Sequence, residues 1–248
     1  MDSVTLITRQ RRFGKTLTIS MLKRFFSIQY YNESAIFEHL DIWKYPEYRE
    51  IMGAYPAMER GLMTGITRVS KESLFSDFNN MEVVTTTSVK YADVYGFTED
   101  EVFSALDEYG LSDIKDKVKR WYDGFLFNPW SIINLLDKKQ LGTYWANTSA
   151  NGLIAKLIQE GDRNIKQLFE TLLKGESIVC EIDEQIIYNQ LSINDNAIWS
   201  LLLASGYLTV VNYIGYGDAK LPENCMPQYE LKITNYETKL MFNELVKN

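Results

Sequence analysis

The sequence predicts an α/β fold: a small parallel sheet carrying a basic loop, then a run of helices, then a small α+β module. Three observations carry this. A β-branched apolar segment leads through a glycine-containing basic loop into an amphipathic run, capping signals mark successive helices from residue 98 onward, and two β-rich segments near the C-terminus flank a turn-rich stretch.

The 248 residues are 46% apolar and 24% charged, ordinary for a globular chain and enough for one large domain or two small ones. No run approaches the roughly 18 to 20 apolar residues of a membrane helix. The start, MDSVTLITRQRR, puts its apolar residues before its basic ones, the reverse of a secretory signal. A cytoplasmic location without membrane contact is the expectation. Cys180, Cys225 and the single histidine, His39, cannot build a disulfide framework or a Cys/His zinc site, and His39 reads as an ordinary surface residue.

Charge is uneven. The net charge is −7, yet residues 1–24 carry Arg9, Arg11, Arg12, Lys15, Lys23 and Arg24 against Asp2 alone. An anionic ligand at this end competes with the plainer reading of a solvated basic face.

Taken in order, VTLIT (4–8) suits a buried strand of a parallel sheet. Leu17, Met21, Leu22, Phe25 and Phe26 then recur at helical spacing. Residues 61–70 and 81–88 are further strand candidates. Thr98 and Glu101 form a capping box opening a helix that stops at Gly110. Ser112 can cap a second helix, with Ile114, Val118, Trp121 and Tyr122 on one face, ending at Gly124. Asn128 and Pro129 read as N-cap and first residue of a third. Residues 149–160 and 162–174 are helical and closed by Gly161 and Gly175.

ESIVCEID then reads as a strand with Cys180 in the core, and NDNAIWSLLLAS as a helix ending at Gly206. YLTVVNYIG and QYELKIT are strands joined by GDAKLPENCMPQ, and NYETKLMFNELVKN is a final helix. That order is the outline of a winged-helix module. Boundaries near residues 90 and 176 give an α/β part (1–90), a helical part (91–175) and a winged-helix-like part (176–248).

The chemistry concentrates at residues 9–16. RQRRFGKT stands in the register G-x-x-x-x-G-K-[ST] of a phosphate-binding loop, with Arg9 replacing the first glycine. Gly14 would let backbone N–H groups approach phosphate oxygens, Lys15 would bridge the β and γ phosphates, and Thr16 would offer its hydroxyl to Mg²⁺. The following helix would add its positive end.

ITRQRRFGKTLTISMLKRFF resembles the RPRRFGKT signature of the bacterial AAA-ATPase-like family, whose members often carry a C-terminal PD-(D/E)XK-type nuclease domain. Further segments are similar in the same order: 64–80, 82–102, WYDGF (121–125), FNPWSI (127–132), YWANTSANGLI (144–154) and WSLLLASGYLTV (199–210). The resemblance implies a P-loop NTPase core of the ASCE type, with ATP and Mg²⁺ as ligands, followed by helices and a winged helix. It assigns Arg11, Arg12, Phe13, Gly14, Lys15 and Thr16 to the nucleotide loop, Arg68 to a sensor position, and Pro129 to a proline near the base.

The chain also departs from that family. Members carry a second strand and an acidic Walker B strand of the type LLDEYD, whereas this chain passes from Tyr55-Pro56 to Leu62-Met63 within a few residues. The stretch between Phe125 and Leu126 looks shortened, and no nuclease domain is evident; Glu230-Leu231-Lys232 has E-x-K spacing but falls in a strand of the winged module. In the ASCE order 5-1-4-3-2, strands 1, 4 and 5 are neighbours, so a contiguous three-stranded sheet is expected to survive.

The functional expectation is an ATP-binding regulatory switch with weak or absent hydrolysis, because the Walker B acids organise Mg²⁺ and the attacking water. The alternative is a non-catalytic protein-interaction scaffold that has lost nucleotide binding. WYDGF and FNPW read as helix packing more than as a base-stacking platform. Asp107, Glu108, Asp113 and Asp116 read as solvation rather than a metal site. Residues 192–248 hold four lysines against six acids, which favours a protein partner over direct contact with DNA phosphates.

Overall fold

The computed structural model describes residues 4–53, 61–65, 81–148, 152–183, 195–221 and 223–247. Strand β1 (Val4–Thr8) pairs in parallel with β2 (Gly61–Gly65) on one side and β3 (Met81–Val84) on the other, giving the order β2-β1-β3. Leu6, Ile7 and Thr8 of the central strand are buried, as a strand covered on both faces requires. The three strands are contiguous around β1, the arrangement expected.

Of the expected strand 61–70, residues 61–65 form β2 and residues 66–70 lie outside the described residues, whereas the other strand expectation shrinks. The run 81–88 leaves the sheet after Val84 because Thr85 turns: the Ser88 N–H donates to the Thr85 carbonyl at 3.3 Å, and the Thr85 N–H donates to Ser88 Oγ at 2.9 Å.

Helix α1 (Lys15–Phe26) follows the loop, but its apolar face is not packed as its spacing implies. Leu17, Met21 and Leu22 are 65%, 37% and 36% exposed, and only Phe25 is buried. Phe25 instead meets Phe26 and Phe37 edge-to-face, each at 5.1 Å, in a satellite cluster with Met52 beneath helix α2 (Pro46–Ile51).

The capping box forms as read: in α3 (Glu99–Glu108) the Thr98 N–H donates to Glu101 Oε2 at 2.8 Å and the Glu101 N–H to Thr98 Oγ1 at 3.4 Å. Ser112 does not cap α4 (Lys115–Tyr122). A 3-10 turn over Ser112–Ile114 delays the helix start, and the Ser112 hydroxyl donates to Asp107 at 2.6 Å. Helix α5 (Pro129–Lys138) begins as expected, Asn128 Oδ1 accepting from the Trp130 N–H at 2.9 Å. Helices α3 to α5 close over Val102, Leu106, Val118, Tyr122, Ile132 and Leu135. Between α4 and α5, Phe125 adopts φ 84° with its ring 77% exposed.

Helices α6 (Gly152–Glu160) and α7 (Arg163–Lys174) precede β4 (Ile178–Glu181), α8 (Asp195–Ala204), β5 (Leu208–Ile214), β6 (Gln228–Ile233) and α9 (Tyr236–Lys247). The second sheet is antiparallel, ordered β4-β6-β5. Its core includes Phe169, Leu172, Ile178, Trp199, Leu202, Leu231 and Phe242, and it reaches back to Trp145. Cys180 packs against this cluster, where burial pushes its thiol up to about 12. Among the described residues no helix is long and apolar enough to cross a membrane.

Candidate functional site

The loop from Arg9 to Gly14 leaves the C-terminal end of β1, the side on which ligands meet parallel sheets. The Arg9 N–H still donates to the Gly65 carbonyl at 3.0 Å, extending the pairing by one residue. Its side chain then turns inward and is buried. The guanidinium donates to the carbonyls of Thr8 (2.8 Å), Thr85 (2.7 Å) and Tyr91 (2.7 Å). Burial lowers the Arg9 pKa and raises that of neighbouring Tyr95, whose buried hydroxyl has no hydrogen-bond partner among the described residues. Where a phosphate loop has its first glycine, this chain has a clamp across the ends of β1 and β3. Nothing in the sequence pattern distinguished that role from a free cation.

The next residues tie the loop to the rest of the chain. A methyl group built on Gly206 would lie 1.9 Å from Gln10 Cδ, so the Gln10 side chain rests directly on the turn after α8. Gly206 is also left-handed, with φ 85°. The Arg11 carbonyl accepts from Trp145 Nε1 at 3.0 Å and from Asn128 Nδ2 at 3.3 Å.

The side chains of Arg11 and Arg12 are exposed. Arg12 has φ 68°, and its guanidinium lies 4.4 Å from the centre of the Trp130 ring. Phe13 points the other way, buried against Ile7, Val84 and Tyr95. It anchors the loop to the sheet.

Gly14, at φ 77°, precedes α1 with open space around it, so its backbone conformation is what calls for glycine. Lys15 opens the helix and folds back over the loop, its Nζ donating to the carbonyls of Gln10 (2.6 Å) and Arg9 (3.0 Å). Burial brings its pKa down to about 8. Thr16 is exposed in the first helical turn. That turn carries no acidic residue and no side-chain cap, leaving its N–H groups and positive dipole end available to an anion.

Pro129 is partly buried as the first residue of α5, next to the Asn128 that holds the Arg11 carbonyl, so it stands beside the loop. Arg68, the expected sensor, lies outside the described residues, as does most of the segment around it. Strands β1, β2 and β3 end in Thr8, Gly65 and Val84, none of them acidic. Among the described residues no group of three His, Cys, Asp or Glu could hold a metal ion. The donors at hand, the Lys15 ammonium and the N–H groups at the start of α1, are of the kind that takes an anion, while for Mg²⁺ the loop offers the Thr16 hydroxyl with no metal-holding group of acids around it among the described residues.

One functional neighbour escaped the sequence. Glu237, in the first turn of α9, is 1% exposed. It accepts from Ser131 Oγ (2.9 Å) and from the backbone N–H groups of Trp145 (2.7 Å) and Ala146 (3.3 Å). Burial pushes its carboxyl above the ordinary range against the pull of those hydrogen bonds. Trp145 is thus held at both ends, by Glu237 at its backbone and by Arg11 at its indole, with its ring against Tyr207 at 5.1 Å. A glutamate near a helix start reads as an ordinary dipole partner, so only its burial exposes the connection.

Residues 1–122 match the family described as AAA-ATPase-like, a predicted AAA-ATPase. A curated protein of Azotobacter chroococcum mcd 1, described as an uncharacterized protein in the vnfD 5′ region, is 26% identical over 193 residues. The match covers 74% of this chain and 33% of that protein, so the chain spans about a third of that relative's length. No solved structure matches.

Proposed function

We propose that the chain is a member of the AAA-ATPase-like family, whose model matches residues 1–122, that its 9–16 loop binds the phosphates of ATP and that occupancy of the loop sets the position of the C-terminal module. The observation that carries this is the Lys15 ammonium, half-desolvated and held by two loop carbonyls beside an uncapped helix start. Such a cation can exchange carbonyl dipoles for phosphate charge, replacing ion–dipole bonds with ion–ion ones.

In this reading the core is a P-loop NTPase of the ASCE type and residues 176–248 are a winged helix. Gly14 and the first turn of α1 present N–H groups to the phosphates, Lys15 meets their charge, and Arg11 and Arg12 neutralise what faces solvent. The Thr16 hydroxyl would hold Mg²⁺, which when bound neutralises the phosphates. When Lys15 leaves the Arg9 and Gln10 carbonyls, the loop that bears on Gly206 and Trp145 relaxes, and those contacts pass the change to the module. Turnover is slow or absent, because no acid stands at the described strand ends to orient water.

A second reading is a scaffold that no longer binds nucleotide, and one observation favours it: the Arg9 guanidinium is taken up by the carbonyls of Thr8, Thr85 and Tyr91, and the Lys15 ammonium by those of Arg9 and Gln10. A protein partner, rather than DNA, suits the acidic C-terminal region in either case. Titration with a fluorescent ATP analogue and Mg²⁺, alongside Lys15→Ala and with phosphate release followed in the same samples, separates the two. Binding that is lost in the variant, without turnover, supports the switch. No binding in either protein supports the scaffold.

A further inference from the structure

A second concentration of positive charge lies far along the chain from the loop. Arg120 near the end of α4, Lys232 on β6 and Lys239 on α9 line one cavity of about 230 Å³, together with Leu172, Gly175, Ile233, Asn235 and Tyr236. Among the described residues no acidic side chain lines it and none of the three cations takes part in a salt bridge. Elsewhere on the same surface lysines do find acids, as Lys115 does with Asp107 at 2.7 Å and Lys119 with Glu99.

The three cations come from elements brought together only by folding. The Arg120 guanidinium is steadied over the Tyr236 ring at 5.3 Å, and that ring is itself held edge-on by Trp121 at 5.1 Å. The Lys239 ammonium is drawn over the end of α7, 3.6 Å from where a methyl group on Gly175 would stand. Three like charges converging on a concave site repel one another unless an anion joins them, and a cavity wall of low dielectric strengthens both effects. Asn235 and Tyr236 also bring the start of α9 to the rim, where Asn235 Oδ1 accepts from the Thr238 N–H at 3.0 Å.

We propose that this cavity is a binding site for a phosphoryl group of a small molecule, separate from the 9–16 loop. Its volume accommodates one phosphate with part of the group it is attached to, and Leu172 and Ile233 supply apolar wall for that remainder. A planar guanidinium with two ammonium groups is a donor set suited to a tetrahedral dianion. Occupancy would bridge α4, β6 and α9, and so bear on the same helix that carries Glu237.

The test is calorimetric titration of the full chain with inorganic phosphate and with pyrophosphate, in wild type, Lys15→Ala and the double variant Lys232→Gln/Lys239→Gln. The expected result is binding that persists in Lys15→Ala and weakens by roughly tenfold or more in the double variant. Lys239→Arg, which keeps the charge, should retain it, and unchanged thermal unfolding of the double variant excludes a folding defect. Binding lost in Lys15→Ala but kept in the double variant would assign phosphate to the loop and overturn the proposal, as would no binding in wild type. Duplex DNA binding more tightly than phosphate, and lost in the double variant, would overturn the small-molecule assignment. Failure of the loop to bind ATP leaves this result untouched.

Discussion

The Trp145 indole Nε1–H donates to the carbonyl of Arg11 at 3.0 Å, across 134 residues of sequence. Backbone geometry in the basic loop is therefore fixed in part by a side chain of the C-terminal core, where Trp145 packs on Tyr207 and its N–H meets Glu237. Asn128 holds the same carbonyl from a second direction. A change in the loop that moves residue 11 cannot leave Trp145 undisturbed.

Arg9 stands where a phosphate loop has glycine, and restoring the glycine should harm the protein. Arg9→Gly removes the guanidinium from the carbonyls of Thr8, Thr85 and Tyr91. Bonds to a charged group contribute about 1.5 to 3 kcal/mol, so a loss of about 3 kcal/mol in urea unfolding is expected. A stability equal to wild type would show that the guanidinium clamps nothing.

Glu237 gives stability a pH dependence of definite sign. Burial raises its carboxyl pKa in the folded protein. The native state then holds its proton where the unfolded chain has released it, so this group's contribution falls as pH rises from the ordinary carboxylate range through the raised value. Glu237→Gln, which keeps an acceptor for the Trp145 and Ala146 N–H groups, should remove that decline. Glu237→Ala should cost about 3 kcal/mol at the acid end, because it removes the acceptor of buried donors, and less as pH rises, because the variant also lacks the wild-type decline. Urea midpoints of the three proteins between pH 4 and 8 provide the check.

Lys15, with its pKa brought down to about 8 by burial, should make ATP affinity sensitive to mild alkali. As the free protein loses that proton between pH 7 and 9, affinity should fall by about tenfold. Lys15→Arg, always charged, should show a flat profile over the same interval. A wild-type profile as flat as that of the variant would mean that Lys15 does not meet the phosphates.

Phe125 carries a positive φ without compensation from packing, since its ring is 77% exposed. Phe125→Gly should therefore raise stability by about 1 kcal/mol, relief of a left-handed bulky residue outweighing the added freedom of the unfolded chain. Thermal unfolding measures it directly. A loss of stability would mean that the ring makes a contact in solution.

Much of this architecture was legible in the sequence because local chemistry dictates it. The Thr98–Glu101 box, the Asn128-Pro129 start and the glycine after Lys174 each form where the pattern places them. The strand-loop-helix order around Gly14 was equally plain. What the sequence hid depends on long-range burial. The spacing of Leu17, Met21 and Leu22 encodes an apolar face but not whether anything covers it. Arg9 among the basic residues looked no different from Arg11, though one is buried and the other exposed. The Glu237 hub joins residues about 90 to 110 positions apart, beyond any local pattern.

The most direct test of the switch is amide hydrogen exchange at Trp145 and Ala146, whose N–H groups donate to Glu237, with and without ATP and Mg²⁺, in wild type and Trp145→Phe. If loop occupancy reaches the C-terminal module through the Arg11–Trp145 bond, nucleotide should change exchange at these amides by roughly tenfold in wild type. In the variant, which lacks the indole donor, that change should be lost while nucleotide still binds. Exchange that is identical with and without bound nucleotide in wild type would contradict the coupling and leave the loop a binding site without a reader.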